Sequence, residues 1–183
     1  MGFDAFLKID GIKGESADSK HKGEIDIMSF SWGATQAGTY GTGGGGGAGK
    51  VSVQDFLIVK KVDCSTPLLF LNCANGAHIK EANFVVRKAG GTQLEYLKYK
   101  FSDVLISGVK PHGEAAHVVS PRDVATGQAS GRRYETGGDE IPLEEVTLNF
   151  AKVEISYQPQ SSTGAAQGGP VLAGWDVKAN QKV

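Results

Sequence analysis

Histidine and cysteine are the first shortages: four and two, respectively, in 183 residues. The histidines are scattered, and the chain has no Gly-x-Ser-x-Gly elbow, no His-Glu-x-x-His helix and no Cys-x-x-Cys pair. The common vehicles of nucleophilic and zinc chemistry are therefore missing. Cys64 and Cys73 sit at and within one short helical segment and read as packed free thiols, since a buried cysteine behaves as a small hydrophobe. Adjacent carboxylates such as Glu144 and Glu145 fall on opposite faces of a strand, where they cannot converge on one bond. The expectation is a protein that is not an enzyme and needs no cofactor.

A surplus of charge is missing too. Lys and Arg number 19 against 20 Asp and Glu, a net charge of -1, so there is no overall field to gather nucleic acid or an anionic membrane. The longest apolar cluster, Leu68 to Leu71, is far short of the ~20 residues that span a bilayer. The opening MGFDAFLKID lacks a basic stretch followed by an apolar one. These features predict a chain made and folded in the cytosol, with no nucleic acid partner and no membrane insertion. The length suits one domain over residues 1–183, able to bury roughly 70% of its unfolded surface without a metal or disulfide.

What is present is alternation. In Leu143 to Gln158, Val146, Leu148 and Phe150 alternate with Glu145, Thr147 and Asn149, the period that puts one side of a strand in a core. After Ala151 and Lys152 the apolar positions resume at Val153, Ile155 and Tyr157, as a β-bulge would require. Upstream, Leu97, Tyr99 and Phe101 give way after Ser102 and Asp103 to Val104 and Ile106. A third run, Glu24 to Thr35, reads as one strand that changes phase from Ile25 and Ile27 to Met28, Phe30 and Trp32. Long strands that switch faces predict an all-β, mainly antiparallel fold, a bent-strand β-barrel or two-sheet sandwich. Phe3 to Ile9 and Val51 to Lys61 are further strands, and Ile79 to Lys88 with Gln93 to Ser107 form a hairpin through Ala89-Gly90-Gly91. GIKGESADSKHKG between the first two strands is a polar loop.

One helix is expected, over residues 65–76. Ser65 or Thr66 would cap it, Pro67 suits its first turn and Gly76 its end. Leu68, Leu69, Leu71, Asn72 and Cys73 should lie on the barrel. Residues 159–183 form a tail anchored by Trp175. Two apparent sites dissolve on inspection. Gly44, Gly49 and Lys50 approach a phosphate-binding loop, yet Val51 stands where Ser or Thr should hold Mg2+, and a strand follows instead of a helix. His112 and His117 with Glu114 or Asp123 lack metal-ligand spacing and belong to a loop insertion, residues 110–140.

With these strands placed, the chain resembles the haemolysin-coregulated protein (Hcp) family, tube subunits of the bacterial type VI secretion system. FLKIDGIKGES, EIDIMSFSWG, GGGGGAGKVSVQDF, STPLLF, VRKAGG, EYLKYKF, VTLNFAKVEISYQPQ, GGPV and GWDVKAN carry the resemblance, in order and over nearly the whole length. The 110–140 insertion departs from it, being longer than the Gly-rich turn usual there. The resemblance implies a phage tail-tube-like barrel with one flanking helix, assembled as a homohexamer with a wide channel. Rings would stack into a tube that a contractile sheath and spike drive out of the cell, with small effector proteins carried and chaperoned inside. The chain would reside in the bacterial cytoplasm before firing and then be secreted without a signal peptide.

A channel needs an inert polar lining, and Ser29, Ser31, Gly33, Thr35, Thr147 and Asn149, opposite the core-facing positions, are the candidates. Stacking needs a reach across rings. The Gly-rich arm 36–50 is the candidate there, with Gly38, Thr39, Tyr40, Gly43, Gly44, Gly45, Gly46, Gly47 and Lys50. The competing readings are a small-molecule-binding β-barrel with its pocket inside one monomer, and a tail-tube protein of another contractile injection system. An enzyme built on the 110–140 insertion ranks third.

Overall fold

In the computed structural model, residues 3–36, 50–88, 93–113, 141–161 and 164–183 are described. Among them the chain runs β1 (Phe3–Ile9), β2 (Ile25–Ile27), β3 (Ser29–Ser31), β4 (Ala34–Thr35), β5 (Ser52–Val53), β6 (Phe56–Lys61), α1 (Thr66–Asn75), β7 (His78–Lys88), β8 (Glu95–His112), β9 (Leu143–Tyr157), β10 (Val171–Asp176) and β11 (Gln181–Lys182). β1 pairs with β7, β7 with β8, β8 with β9, β9 with β6 and β6 with β3, every pair antiparallel. β3 continues from β2, and β2 pairs back onto β1. The ladder thus closes on itself, which shields most strand edges. β9 is shared along its length: β6 takes Leu143 to Leu148, and β10 takes Lys152 to Tyr157.

The barrel holds one apolar core. Phe56, Phe84 and Phe101 are fully buried, and Phe30, Trp32, Tyr99 and Phe150 pack against them in edge-on, tilted and stacked ring contacts 4.7–6.5 Å apart. Each buried aromatic contributes on the order of 2–3 kcal/mol of transfer free energy. Trp175 of β10 packs against the same cluster and anchors the tail.

Several sequence expectations need correction. The run Glu24 to Thr35 is three strands, not one, because the chain changes partner inside it. Met28 donates its backbone N–H to Val59 O at 2.9 Å as the chain passes from β1 to β6, and its side chain turns out to solvent rather than into the core. The two Phe-x-x-Val slips are not bulges. They face each other, with Phe101 opposite Val153, Ser102 opposite Lys152 and Val104 opposite Phe150, so register is unchanged across the slip. Asp103, within the β8 slip, lies in the left-handed region at φ 52°. The true register shift lies between Ile106 and Gly108. β8 also extends to His112, so residues 110–112 of the expected loop insertion are strand.

The helix spans nearly the expected residues, but its details differ. Ser65 makes no side-chain cap; the Asp63 carboxylate instead accepts from the Ser65 N–H at 2.8 Å and from the Ser65 hydroxyl. Gly76 at φ 63° ends the helix as expected. Leu69 is the one buried residue of α1, with Cys73 packed against the core, whereas Leu68, Phe70 and Leu71 are exposed. Cys64 is also exposed rather than packed. Its thiol lies 3.4 Å from Lys13 O, and loss of hydration together with Asp63 and Glu15 pushes its pKa up.

Candidate assembly interface

β3, β6, β9 and the end of β8 form a four-stranded sheet with two unlike faces. Phe56, Ile58, Val146, Leu148 and Ile106 point into the core. On the opposite face, direct pairing puts Ser31, Leu57, Thr147 and Gly108 in one row and Ser29, Val59, Glu145 and Lys110 in the next. Asn149, two residues beyond Thr147, continues this face. Its amide donates to Asp55 Oδ1 at 2.7 Å, while the Ser107 hydroxyl donates to Asp55 Oδ2 and also meets Thr147 Oγ1 at 3.0 Å. A Cβ at Gly108 would lie 2.7 Å from Thr147 Oγ1, so a larger residue there would displace the Thr147 side chain.

Of the six candidate lining residues, Ser29, Ser31, Thr147 and Asn149 therefore share one solvent-facing surface. Gly33 and Thr35 lie past the end of β3: Gly33 O accepts from Gln54 N at 2.9 Å, and Thr35 pairs with Ser52 in the separate β4–β5 ribbon. Sequence reading missed Asp55 and Ser107. Asp55 carries a usable signal, because it sits one residue before buried Phe56 on an alternating strand. Among the arm candidates Lys50 is exposed, and Gly38, Thr39, Tyr40 and Gly43 to Gly47 lie outside the described residues. The arm springs from β4 and β5, whose pairing brings its two ends together. His112 is exposed, 3.7 Å from Glu145 Oε1, and Glu114, His117 and Asp123 lie outside the described residues. Among the described residues no three His, Cys, Asp or Glu side chains gather around a place for a metal ion.

This sheet has two edges with no partner strand among the described residues. β7 pairs with β8 only as far as Leu105, and β3 pairs with β6 alone. A surface groove of about 560 Å3 lies elsewhere, over β7 to β10, lined by Lys98, Lys100, Glu154 and Leu172 among others.

Two ionic clusters pin the periphery to the barrel. Lys60 Nζ donates to Glu144 Oε1 at 2.6 Å, Asp63 Oδ1 at 2.8 Å and Lys61 O at 2.7 Å, and Thr66 Oγ1 donates to Glu144 Oε1 at 2.7 Å. This ties the start of α1 to β6 and β9. The second cluster fastens the loop after β1. Arg87 donates to Asp4 Oδ2 from Nε and Nη2, both at 3.1 Å, and to Asp18, with its guanidinium 4.8 Å from the Phe6 ring. His21 stacks on Phe6 with centroids 4.2 Å apart and meets Glu24 Oε2 at 2.8 Å. The Arg87 guanidinium, helped by the Lys20 amide, holds the Asp18 carboxyl well below the usual carboxylate range.

An aromatic-filled barrel, a sheet face carrying Ser29, Ser31, Thr147 and Asn149, and two edges with no partner strand among the described residues define a class: an all-β assembly module, whose working parts are surfaces. A family model described as "Type VI secretion system effector, Hcp" matches residues 6–157. The Protein hcp1 of Pseudomonas aeruginosa is 43% identical over 181 residues, covering 98% of each chain. The crystal structure of Hcp1 from Salmonella typhimurium is 36% identical and covers all of both chains with a TM-score of 0.71. A type VI secretion system effector from Yersinia pestis is 34% identical, with a TM-score of 0.67 over 94% of this chain and 99% of that one. The chain belongs to the Hcp family of the type VI secretion system. No helix among the described residues is long and apolar enough to cross a membrane.

Proposed function

We propose that this chain is the structural tube subunit of a type VI secretion system. It closes into hexameric rings that stack into a tube, carry small effector proteins in the channel, and leave the cell under sheath contraction with a spike. It works by assembly and has no catalytic role. The observation that carries this reading is the four-stranded sheet, whose outer face carries Ser29, Ser31, Thr147 and Asn149 and whose two edges have no partner strand among the described residues. Its strands alternate in direction, and their number is even. Rotation about an axis along the strands then sets the β3 edge of one copy antiparallel to the β8 edge of the next, a heterologous contact that forms a ring when the rotation between neighbours divides the full circle. Ser29, Ser31, Thr147 and Asn149 would face the lumen of such a ring, and the arm 36–50 would reach the next ring.

The packed aromatics oppose the reading of a small-molecule barrel, because Phe30, Phe56, Phe84 and Phe101 fill the interior where a ligand would sit. Negative-stain electron microscopy with light-scattering mass tests the proposal. The expected result is rings with an open centre and a mass near six times 19.2 kDa. A uniform monomer at high concentration would overturn it. Ser31→Gln should leave rings intact and weaken effector retention; unaltered retention would remove Ser31 from the lining.

A further inference from the structure

The outer face of the β3, β6, β9 and β8 sheet carries two apolar residues among its hydroxyls. Leu57 and Val59 stand there, out of phase with the buried Phe56, Ile58 and Lys60 of the same strand. Both are partly exposed, and neither belongs to the core cluster or packs against it. Pairing sets Leu57 between Ser31 and Thr147, and Val59 between Ser29 and Glu145. Gly108 follows Thr147 in the first row and brings no side chain. Two branched apolar side chains, about 7 Å apart along β6, therefore project from a low floor. A single apolar residue on a surface is ordinary. An adjacent pair on a central strand, repeated in every copy of a ring, makes a continuous apolar feature.

The charges near this pair are compensated within the face itself. Lys110 is directly opposite Glu145, and His112 lies 3.7 Å from the same carboxylate. Asp55 accepts from Asn149 and Ser107. The Leu57 row contains no ionisable group. What the face offers a visitor is apolar area flanked by hydroxyls.

Which visitor reaches it rests on the ring reading above. The core lies behind this sheet, and so does α1, anchored through Lys60 and Glu144 on the side opposite Leu57. When both sheet edges are joined to neighbours, the bulk of each subunit takes the wider outer circumference and the bare face turns to the axis. Only a molecule inside the channel meets it there.

We propose that Leu57 and Val59 form an apolar belt around the lumen, and that a carried effector docks on it through an apolar segment exposed on its own surface. Contact removes apolar area from water on both sides, and the flanking hydroxyls can meet the backbone groups of the segment. The belt selects cargo by apolar area and not by charge. It also gives Ser31 a role, because a small side chain there leaves Leu57 uncovered.

Fluorescence anisotropy tests this on assembled rings, with labelled Gly-Ser peptides bearing leucine, glutamate or lysine as probes. The leucine peptide should bind, and the charged peptides should bind about tenfold more weakly or worse. Added salt should leave leucine-peptide binding intact, since no ion pair is involved. Leu57→Ser and Val59→Thr lie on an internal strand and should each weaken that binding about fivefold or more, with the light-scattering mass of the ring unchanged. Thr147→Val lengthens the apolar row and should tighten binding, a gain that a misfolded chain does not give. Phe70→Ser, at an exposed position of α1, should change nothing.

Rings that ignore the leucine peptide, prefer a charged one, or bind it equally after both β6 substitutions overturn the belt and leave the ring reading standing. Binding lost with Phe70→Ser and kept with Leu57→Ser assigns the peptide to α1 and overturns the belt as well. Absence of rings in the unsubstituted protein overturns both.

Discussion

The two ionic clusters use the same chemistry in opposite surroundings. Lys60 and Glu144 are both 0% exposed, whereas Arg87 at 5% faces Asp4 at 39% and Asp18 at 15%. Sealed charges attract strongly, but removing them from water costs several kcal/mol per ion, so a sealed pair adds little net stability over apolar residues of the same shape. What it contributes is geometry, because a partner left alone is intolerable. The imperfect fit at Glu144, whose Oε2 has no hydrogen-bond partner among the described residues, fits a clamp for α1 better than an optimised stabiliser. The Arg87 cluster reaches water and is cheaper to open. It fastens a polar loop onto Phe6 without sealing its carboxylates.

The largest expected effect comes from breaking the sealed cluster on one side. Glu144→Ala leaves the Lys60 ammonium with Asp63 as its one carboxylate and should cost roughly 3–5 kcal/mol in urea unfolding. A loss under about 1 kcal/mol would mean that water reaches the site. Replacing both partners sharpens the contrast. Lys60→Met with Glu144→Leu should be about as stable as the native protein, with α1 less firmly placed, as hydrogen exchange at Leu69 to Cys73 would record. A double variant as unstable as the single one would abolish the distinction between the clusters.

The smallest effect is at the open cluster and depends on pH. Because folding depresses the Asp18 pKa, Asp18 contributes stability above the ordinary carboxylate range and loses it as pH falls. Melting temperature should therefore drop between about pH 5 and pH 2, and Asp18→Asn should flatten part of that drop. Identical acid profiles for the two proteins would assign the acid sensitivity elsewhere.

Much of this molecule was legible in the sequence, and the misses share one cause. The alternation in Leu143 to Gln158 announced β9, and Pro67 with Gly76 bracketed α1. The facing Phe-x-x-Val slips looked like two bulges because one strand at a time shows only its own phase. Only their pairing reveals that they cancel. Ser31, Thr147 and Asn149 were legible as polar positions opposite core ones. Asp55, which accepts from Asn149 and Ser107, was not, because those three residues are brought together by pairing across β6, β9 and β8. The outward stripe of α1 was misread for a similar reason, since a helix rich in leucine looks as though it must face its own barrel.

By itself the sequence determined that the chain is an all-β, mainly antiparallel fold with one helix, and its motifs placed it in the Hcp family. Periodicity and turn residues act within a few positions, so they survive in a linear reading. Tertiary structure decided which edges stay open, which apolar side chains face outward, and which charges are sealed. Those outcomes depend on residues 40 to 94 positions apart meeting across strands, as Ser107 meets Thr147 and Asn149 meets Asp55. Burial and electrostatics are properties of such meetings rather than of any one residue.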